Sequence, residues 1–195
     1  TAPTTAATAP TVGNEAISLY SDTLTDDSVV TNFNPGWGQS GSLAAATDVD
    51  AAVGNVLKFT NLNYQGVELN ETDVSAQESF HLDLWAAETG KVKVFLVSTD
   101  GENSSEMGYT LEVTGGEWNS FDIDLDAFAG VDLARVFQLK FDSQAGVVGD
   151  DTGLTNFYMD NMYFSTATPT IGTPAPATAP TTAATAPTVG NEAIS

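Results

Sequence analysis

The run FHLDLW at residues 80–85 alternates apolar and polar side chains as far as Leu84. Period two sustained over several residues marks a half-buried strand. YTLEV (109–113), FDIDL (121–125) and FQLKF (137–141) repeat the pattern, and VKVFLV (92–97) follows it in part. NVLKFTNL (55–62), FYMDNMYF (157–164) and AISLYS (16–21) are further strand candidates, with turns rich in Gly, Asn and Asp between them. No ten-residue stretch holds a 3.6-residue period; LDAFAGVDLARV (125–136) comes nearest, and Gly130 interrupts it. Short strands at roughly ten-residue spacing predict an all-β chain folded as a sandwich or jelly roll.

The alternation also sorts strand faces, because successive side chains point to opposite sides of a sheet. With Phe80, Leu82 and Leu84 turned inward, His81, Asp83 and Trp85 face away from the core. Leu57 and Phe59 point in and Lys58 out; Val92, Val94 and Leu96 point in, leaving Lys93 and Phe95 outside. Phe137, Leu139 and Phe141 are assigned to the core, with Gln138, Lys140 and Asp142 outside. Three of the five basic residues therefore lie on outward strand faces. A face mixing Trp, His, Asp, Gln and Lys meets the needs of a sugar, whose hydroxyls require paired donors and acceptors and whose ring requires a flat aromatic. An ordinary solvated face, with Trp85 covered by a neighbouring loop, is the alternative meaning of the same pattern.

Composition divides the 195 residues. Seven of the eight prolines lie outside residues 16–164, and Glu15 and Glu192 are the only charges in the Thr/Ala/Pro-rich ends. Such ends cannot build a core and favour extended, polyproline-like chain. The resulting division is a linker over 1–15, a β-sandwich module over 16–164, a second linker over 165–190 and the start of a further repeat over 191–195. That last assignment rests on an identity: TAPTTAATAPTVGNEAIS stands both at 1–18 and at 178–195. The repetition predicts a tandem array.

Charge and chemistry narrow the function. With 26 acidic against 5 basic residues the net charge is −21, which disfavours nucleic acid and anionic membrane surfaces as partners. No apolar run reaches the roughly 18 residues that a membrane-spanning helix needs. The absence of cysteine removes disulfides and thiolate chemistry. His81 is the single histidine, so no histidine-based metal cluster is possible, and no Gly-x-Ser-x-Gly elbow accompanies it. Carboxylate pairs, which suffice for a glycosidase, arise by accident in so acidic a chain. The expectation is a protein without enzymatic activity.

Specific segments sharpen the picture. ISLYSDT (17–23), NPGWGQ (34–39), LKFTNLNYQG (57–66), HLDLW (81–85), EWNSFDIDLDAFAGVDLARVFQLKF (117–141) and MDNMYF (159–164) cover the module. In these segments the chain resembles the β-sandwich carbohydrate-binding modules joined to secreted bacterial polysaccharide hydrolases, particularly β-glucanases of the laminarinase type. The resemblance implies a galactose-binding-like jelly-roll sandwich. It also implies a structural Ca2+ between first and last strands, with Asp22 and Asp160 as the matching carboxylates.

The expected carbohydrate site comprises Trp37, Tyr64, Gln65, His81, Asp83 and Trp85, with Gln138 and Lys140 as outer members. Trp37 sits between glycines, where an exposed loop can present it as a stacking platform beside Asn34 and Gln39. Trp118 is expected to cover one end of the core. The function expected is a non-catalytic module binding a β-glucan-like polysaccharide, repeated in tandem in a large secreted or cell-surface bacterial protein. The alternative is a structural spacer repeat of an adhesin or extracellular filament, its tails packing on neighbouring copies or completing their sheets.

Overall fold

The computed structural model describes residues 1–12, 15–24 and 29–167. The expectations for 168–195, including the repeat start at 191–195, lie outside them. Among the described residues two antiparallel sheets face each other. The first is ordered β3 (Ser42–Ala45), β4 (Leu57–Thr60), β11 (Phe157–Ser165), β6 (Ser79–Trp85) and β9 (Trp118–Asp124), with β1 (Ile17–Tyr20) also pairing with β11. The second is ordered β2 (Val30–Asn32), β5 (Tyr64–Thr72), β10 (Val136–Asp142), β7 (Gly90–Thr99) and β8 (Ser104–Val113). Apart from β3–β4 and β7–β8, neighbouring strands are not consecutive in sequence, as in a jelly roll. Short 3-10 turns occupy Ala51–Val53 and Leu125–Phe128, and a single helical turn, α1, covers Ala145–Val148. No helix among the described residues is long and apolar enough to cross a membrane.

The inward faces follow the apolar periodicity. Leu57, Phe59, Phe80, Leu82, Leu84, Phe121, Ile123, Phe157, Met159 and Phe164 of the first sheet meet Val67, Val92, Val94, Leu96, Leu111, Leu139 and Phe141 of the second in one cluster. Phe59 links the layers: it stacks on Phe157 at 4.3 Å and meets the edge of Phe141 at 4.9 Å between centroids. Packing of this kind is the main source of a sandwich's stability.

Two strands break strict alternation. In β10 the register shifts between Val136 and Gln138, so fully buried Val136 takes the inward position and Phe137 is only half-buried. The expected inward Phe137 is corrected by this bulge, which places an extra residue on one strand. In β11 the register shifts between Asp160 and Tyr163, and Asn161 adopts φ 49°. The left-handed backbone there suits Asn. Tyr158 and Asp160 point outward before the bulge, while after it Tyr163 pairs outward with His81 and Phe164 inward with Phe80. Without the extra residue Phe164 would leave the core.

Candidate functional site

The candidate residues occupy two opposite surfaces. His81, Asp83 and Trp85 stand together on the outer face of the first sheet, but are 7, 3 and 6 % exposed. The N-terminal segment packs over the Trp85 end of this face and reaches Asn161 beside Asp83. Residues 1–12 form no helix or strand; Pro3 is buried, and Ala2 packs on a cluster of Val53, Val56, Trp85 and Tyr158, joined by Trp118. The Trp118 indole donates to the Thr5 carbonyl at 2.8 Å, and Asn161 Nδ2 donates to the Thr8 carbonyl at 3.1 Å. Trp118 thus lies over this outer face, not over an end of the main core as expected. The strand β6, expected to be half-exposed, is buried along its whole length.

Beside these contacts lies a charge network. His81 Nδ1 is 2.6 Å from Asp122 Oδ1, its Nε2 is 3.4 Å from Asp83 Oδ1, and its ring stacks on Tyr163 at 4.4 Å. Burial alone would depress the imidazole pKa, but hydrogen bonds to Asp122 and Asp83 outweigh it and lift the value to about 9. Asp83 Oδ2 accepts from Asn161 Nδ2 at 2.7 Å. His81 is therefore held as a cation between two carboxylates, and its geometry is that of a buried structural pair.

Asp160 on the same face is 2 % exposed. Burial, with the negative charges of Asp22 and Asp83, pushes its carboxyl up to about 7 against the hydrogen bond from Asn161 N. Asp22 Oδ2 also accepts from Asn55 N at 3.4 Å. The charged groups that shift Asp160 are both acidic, and two mutually repelling carboxylates of this kind suit a hard divalent cation. Among the described residues no three His, Asp or Glu side chains are grouped to hold a metal, so backbone carbonyls or water would have to complete a calcium shell.

The outer face of the second sheet is different. Pairing sets its side chains in rows across the strands: Tyr64, Asp142, Lys93 and Thr110; then Gly66, Lys140, Phe95 and Gly108; then Glu68, Gln138, Val97 and Glu106. Glycine opens the middle row at both ends. A Cβ at residue 66 would overlap the six-membered ring of Trp37, and one at 108 would overlap the Phe95 ring. The two glycines are about 14 Å apart, three strand spacings.

Local bonds hold Trp37 over its glycine. Its N–H donates to Gln39 Oε1 at 2.7 Å, its carbonyl accepts from the Tyr64 hydroxyl at 2.9 Å, and its indole donates to Glu68 Oε1 at 3.2 Å. Lys140 Nζ sits 4.1 Å from the Phe95 centroid and donates to Glu106 Oε1 at 2.6 Å. Lys93 Nζ approaches the same ring at 5.4 Å.

Trp37, Tyr64, Gln138 and Lys140 are therefore brought together on this face. Gln65 is not: it is fully buried, its Nε2 donating to the Gly66 carbonyl at 2.9 Å and its Oε1 accepting from Gln39 Nε2 at 3.4 Å. The strand turns Gln65 toward the core side, opposite Phe141. Its amide braces the Trp37 turn from below. Phe95, Glu68 and Glu106 complete the face; the alternation of VKVFLV signals Phe95, whereas nothing local signals that Glu68 and Glu106 meet Trp37 and Lys140.

The sequence matches no family model and no curated protein. Among solved structures the fold is similar to the family 11 carbohydrate-binding module of a cellulosomal cellulase of Clostridium thermocellum: TM-score 0.55, 16 % identity, 82 % of this chain and 98 % of that one covered. It is similar to the family 30 module of another cellulosomal cellulase of that organism, with TM-score 0.57, 14 % identity and coverage of 77 % and 96 %. A second family 11 structure, solved with a β-1,3-1,4-mixed-linked tetrasaccharide, gives TM-score 0.50, 16 % identity and coverage of 69 % and 87 %. At these identities the likeness is one of fold: a jelly-roll β-sandwich.

Proposed function

We propose that this chain is a non-catalytic carbohydrate-binding module, and that a β-glucan-like polysaccharide lies across the outer face of the second sheet. The carrying observation is the placement of Trp37 over Gly66, in one row with Lys140 and Phe95. Trp37 supplies the apolar platform for a pyranose ring. Lys140 and Lys93 supply donors, Glu68 and Glu106 acceptors, and Gln138 both. The similar fold solved with a β-1,3-1,4-mixed-linked tetrasaccharide supports this ligand class.

Binding should be measured by affinity electrophoresis in mixed-linked β-glucan and by calorimetry with its oligosaccharides. Trp37→Ala is expected to weaken binding about tenfold to a hundredfold, the loss of roughly 1.4–3 kcal/mol typical of a central aromatic anchor. Gly66→Val, which displaces the indole without removing it, should do the same. Retention of wild-type affinity by both variants sinks this reading.

The same reading takes the module to be secreted or exposed on a bacterial surface, and repeated. The identity of 1–18 with 178–195 supports repetition, and a net charge of −21 supports an exposed, highly solvated setting.

It also takes Ca2+ to be held by Asp22 and Asp160. A bound cation stabilises the folded state in proportion to ln(1 + [Ca2+]/Kd), so calcium should raise the melting temperature of the wild type and not that of Asp160→Asn. Without cation, the raised Asp160 value means that the folded state holds a proton which the unfolded carboxyl releases near pH 4. Stability should then fall from about pH 4 to 7, and saturating calcium should flatten that slope. Equal melting curves with calcium and with chelator remove the cation from the account.

A further inference from the structure

The groove across the outer face of the first sheet is occupied by a peptide whose sequence the chain carries twice. Residues 1–12 lie along it, anchored at Ala2 on the Val53, Val56, Trp85 and Tyr158 cluster, at the Thr5 carbonyl by Trp118, and at the Thr8 carbonyl by Asn161. Downstream, Ile17 pairs with Phe164 and Ser18 with Tyr163 as β1 joins the central strand β11. Every one of these contacts uses a position repeated at 178–195: Ala179, Thr182, Thr185, Ile194 and Ser195 stand where Ala2, Thr5, Thr8, Ile17 and Ser18 do.

The recognition is of a kind that a separate peptide can satisfy. Indole and amide donors read main-chain carbonyls of a Pro-containing, irregular segment, and small apolar side chains settle among aromatic rings. The segment is held to the sheet by two side-chain hydrogen bonds and an apolar contact, with no ion pair in the groove contacts just described. One module offers one such groove, and each chain carries two copies of what fills it.

We propose that this groove is a receptor for the TAPTTAATAPTVGNEAIS segment, and that residues 178–195 of one chain dock in the groove of a second copy whose own N-terminal segment is absent or displaced. The copies then couple head to tail, a heterologous contact that extends to arrays. An attached segment competes at an effective concentration in the millimolar range, so coupling is strong only where residues 1–12 are gone. The linking surface lies on the sheet opposite Trp37, which leaves the proposed polysaccharide face of every copy open; the coupling itself does not depend on that face binding sugar.

The test uses the full chain in a Trp37→Phe background, so that of the three tryptophans only Trp85 and Trp118 report. Residues 1–12 are replaced by a Gly/Ser segment of equal length. Sedimentation should show association rising with concentration, with both indoles shielded from acrylamide. A synthetic peptide of residues 178–195, added in excess, should return the protein to monomer and keep the indoles shielded. Adding Ala179→Asp and Pro180→Asp should abolish association and expose the indoles.

Two results overturn the proposal. One is a monomer with quenchable indoles; the other is a monomer with shielded indoles, in which 178–195 has folded back on its own module. Should the Gly/Ser chain not fold, the cysteine-free sequence offers a second measurement. A chain with Ala179→Cys is incubated under mild oxidation with one whose own segment is displaced by Ala2→Asp and Pro3→Asp and which carries Ala46→Cys, beside the groove, or Ser104→Cys, on the far sheet. Disulfide heterodimer should be several-fold more abundant with the Ala46→Cys partner, and equal yields overturn the proposal.

Discussion

Trp85→Ala will destabilise the module by about 3–5 kcal/mol and leave polysaccharide binding unchanged. The indole is 6 % exposed and meets Tyr158 edge-on at 5.8 Å within the cluster of Val53 and Val56. Its removal opens a cavity under the N-terminal segment and takes away the surface on which Ala2 rests. For a domain of this size the loss corresponds to a fall of about 10 °C in melting temperature. The proposed polysaccharide face lies on the other sheet, so affinity should stay within a factor of two of wild type. A variant that melts normally but no longer binds glucan would reverse the assignment of the two faces.

The second large effect is a dependence of stability on pH through His81. Its folded-state value of about 9 lies above the ordinary 6.5, so between these limits the folded state keeps a proton that the unfolded state has lost. The stabilisation is therefore complete below pH 6.5 and disappears as pH rises toward 9. A difference of this size amounts to roughly 3 kcal/mol. The groups facing the ring are Asp122, Asp83 and Tyr163; burial and both carboxylates drive the tyrosine upward, so it stays neutral throughout this window.

Chemical denaturation at pH 6 and at pH 9, repeated with His81→Gln, isolates the step. The wild type should lose stability over that interval, and the variant should lose only what general repulsion in so acidic a chain removes. A directly titrated imidazole with an ordinary value would refute the buried cation. Both His81 and Asp160 act in the same direction, so the cation-free module should be most stable in mildly acidic solution.

The strand content was legible because period-two alternation reports burial on one side of a sheet. FHLDLW, YTLEV and FQLKF lie wholly within strands, and FDIDL does so up to Asp124, with Leu125 opening a 3-10 turn. The short edge strands β2 and β3 were not legible: VTN and SLAA carry only weak apolar signal. The Phe95 position and the loop placement of Trp37 were also within reach of the sequence, since glycines flank Trp37 and alternation turns Phe95 outward.

What alternation cannot report is which outward faces belong to the same sheet. His81, Asp83 and Trp85 share a residue chemistry with Gln138 and Lys140, yet the sheet order puts them on opposite sides of the sandwich. Strand order is set by contacts between residues far apart in the chain, and local periodicity carries none of that information.

By itself, then, the sequence determined an all-β sandwich, its apolar inward sets and a repeated Thr/Ala/Pro segment. Only the tertiary structure decided which outward face is open. The left-handed Asn161 inserts one residue that resets the inward and outward sides of β11, and the segment at 1–12 packs over the Trp85 end of one sheet while leaving the other accessible. Both choices turn on long-range packing: a bulge persists because a neighbouring strand, Ser21 and the Thr8 carbonyl satisfy it. A Pro-rich segment is likewise a spacer or a lid according to whether an aromatic groove of matching length lies beside it.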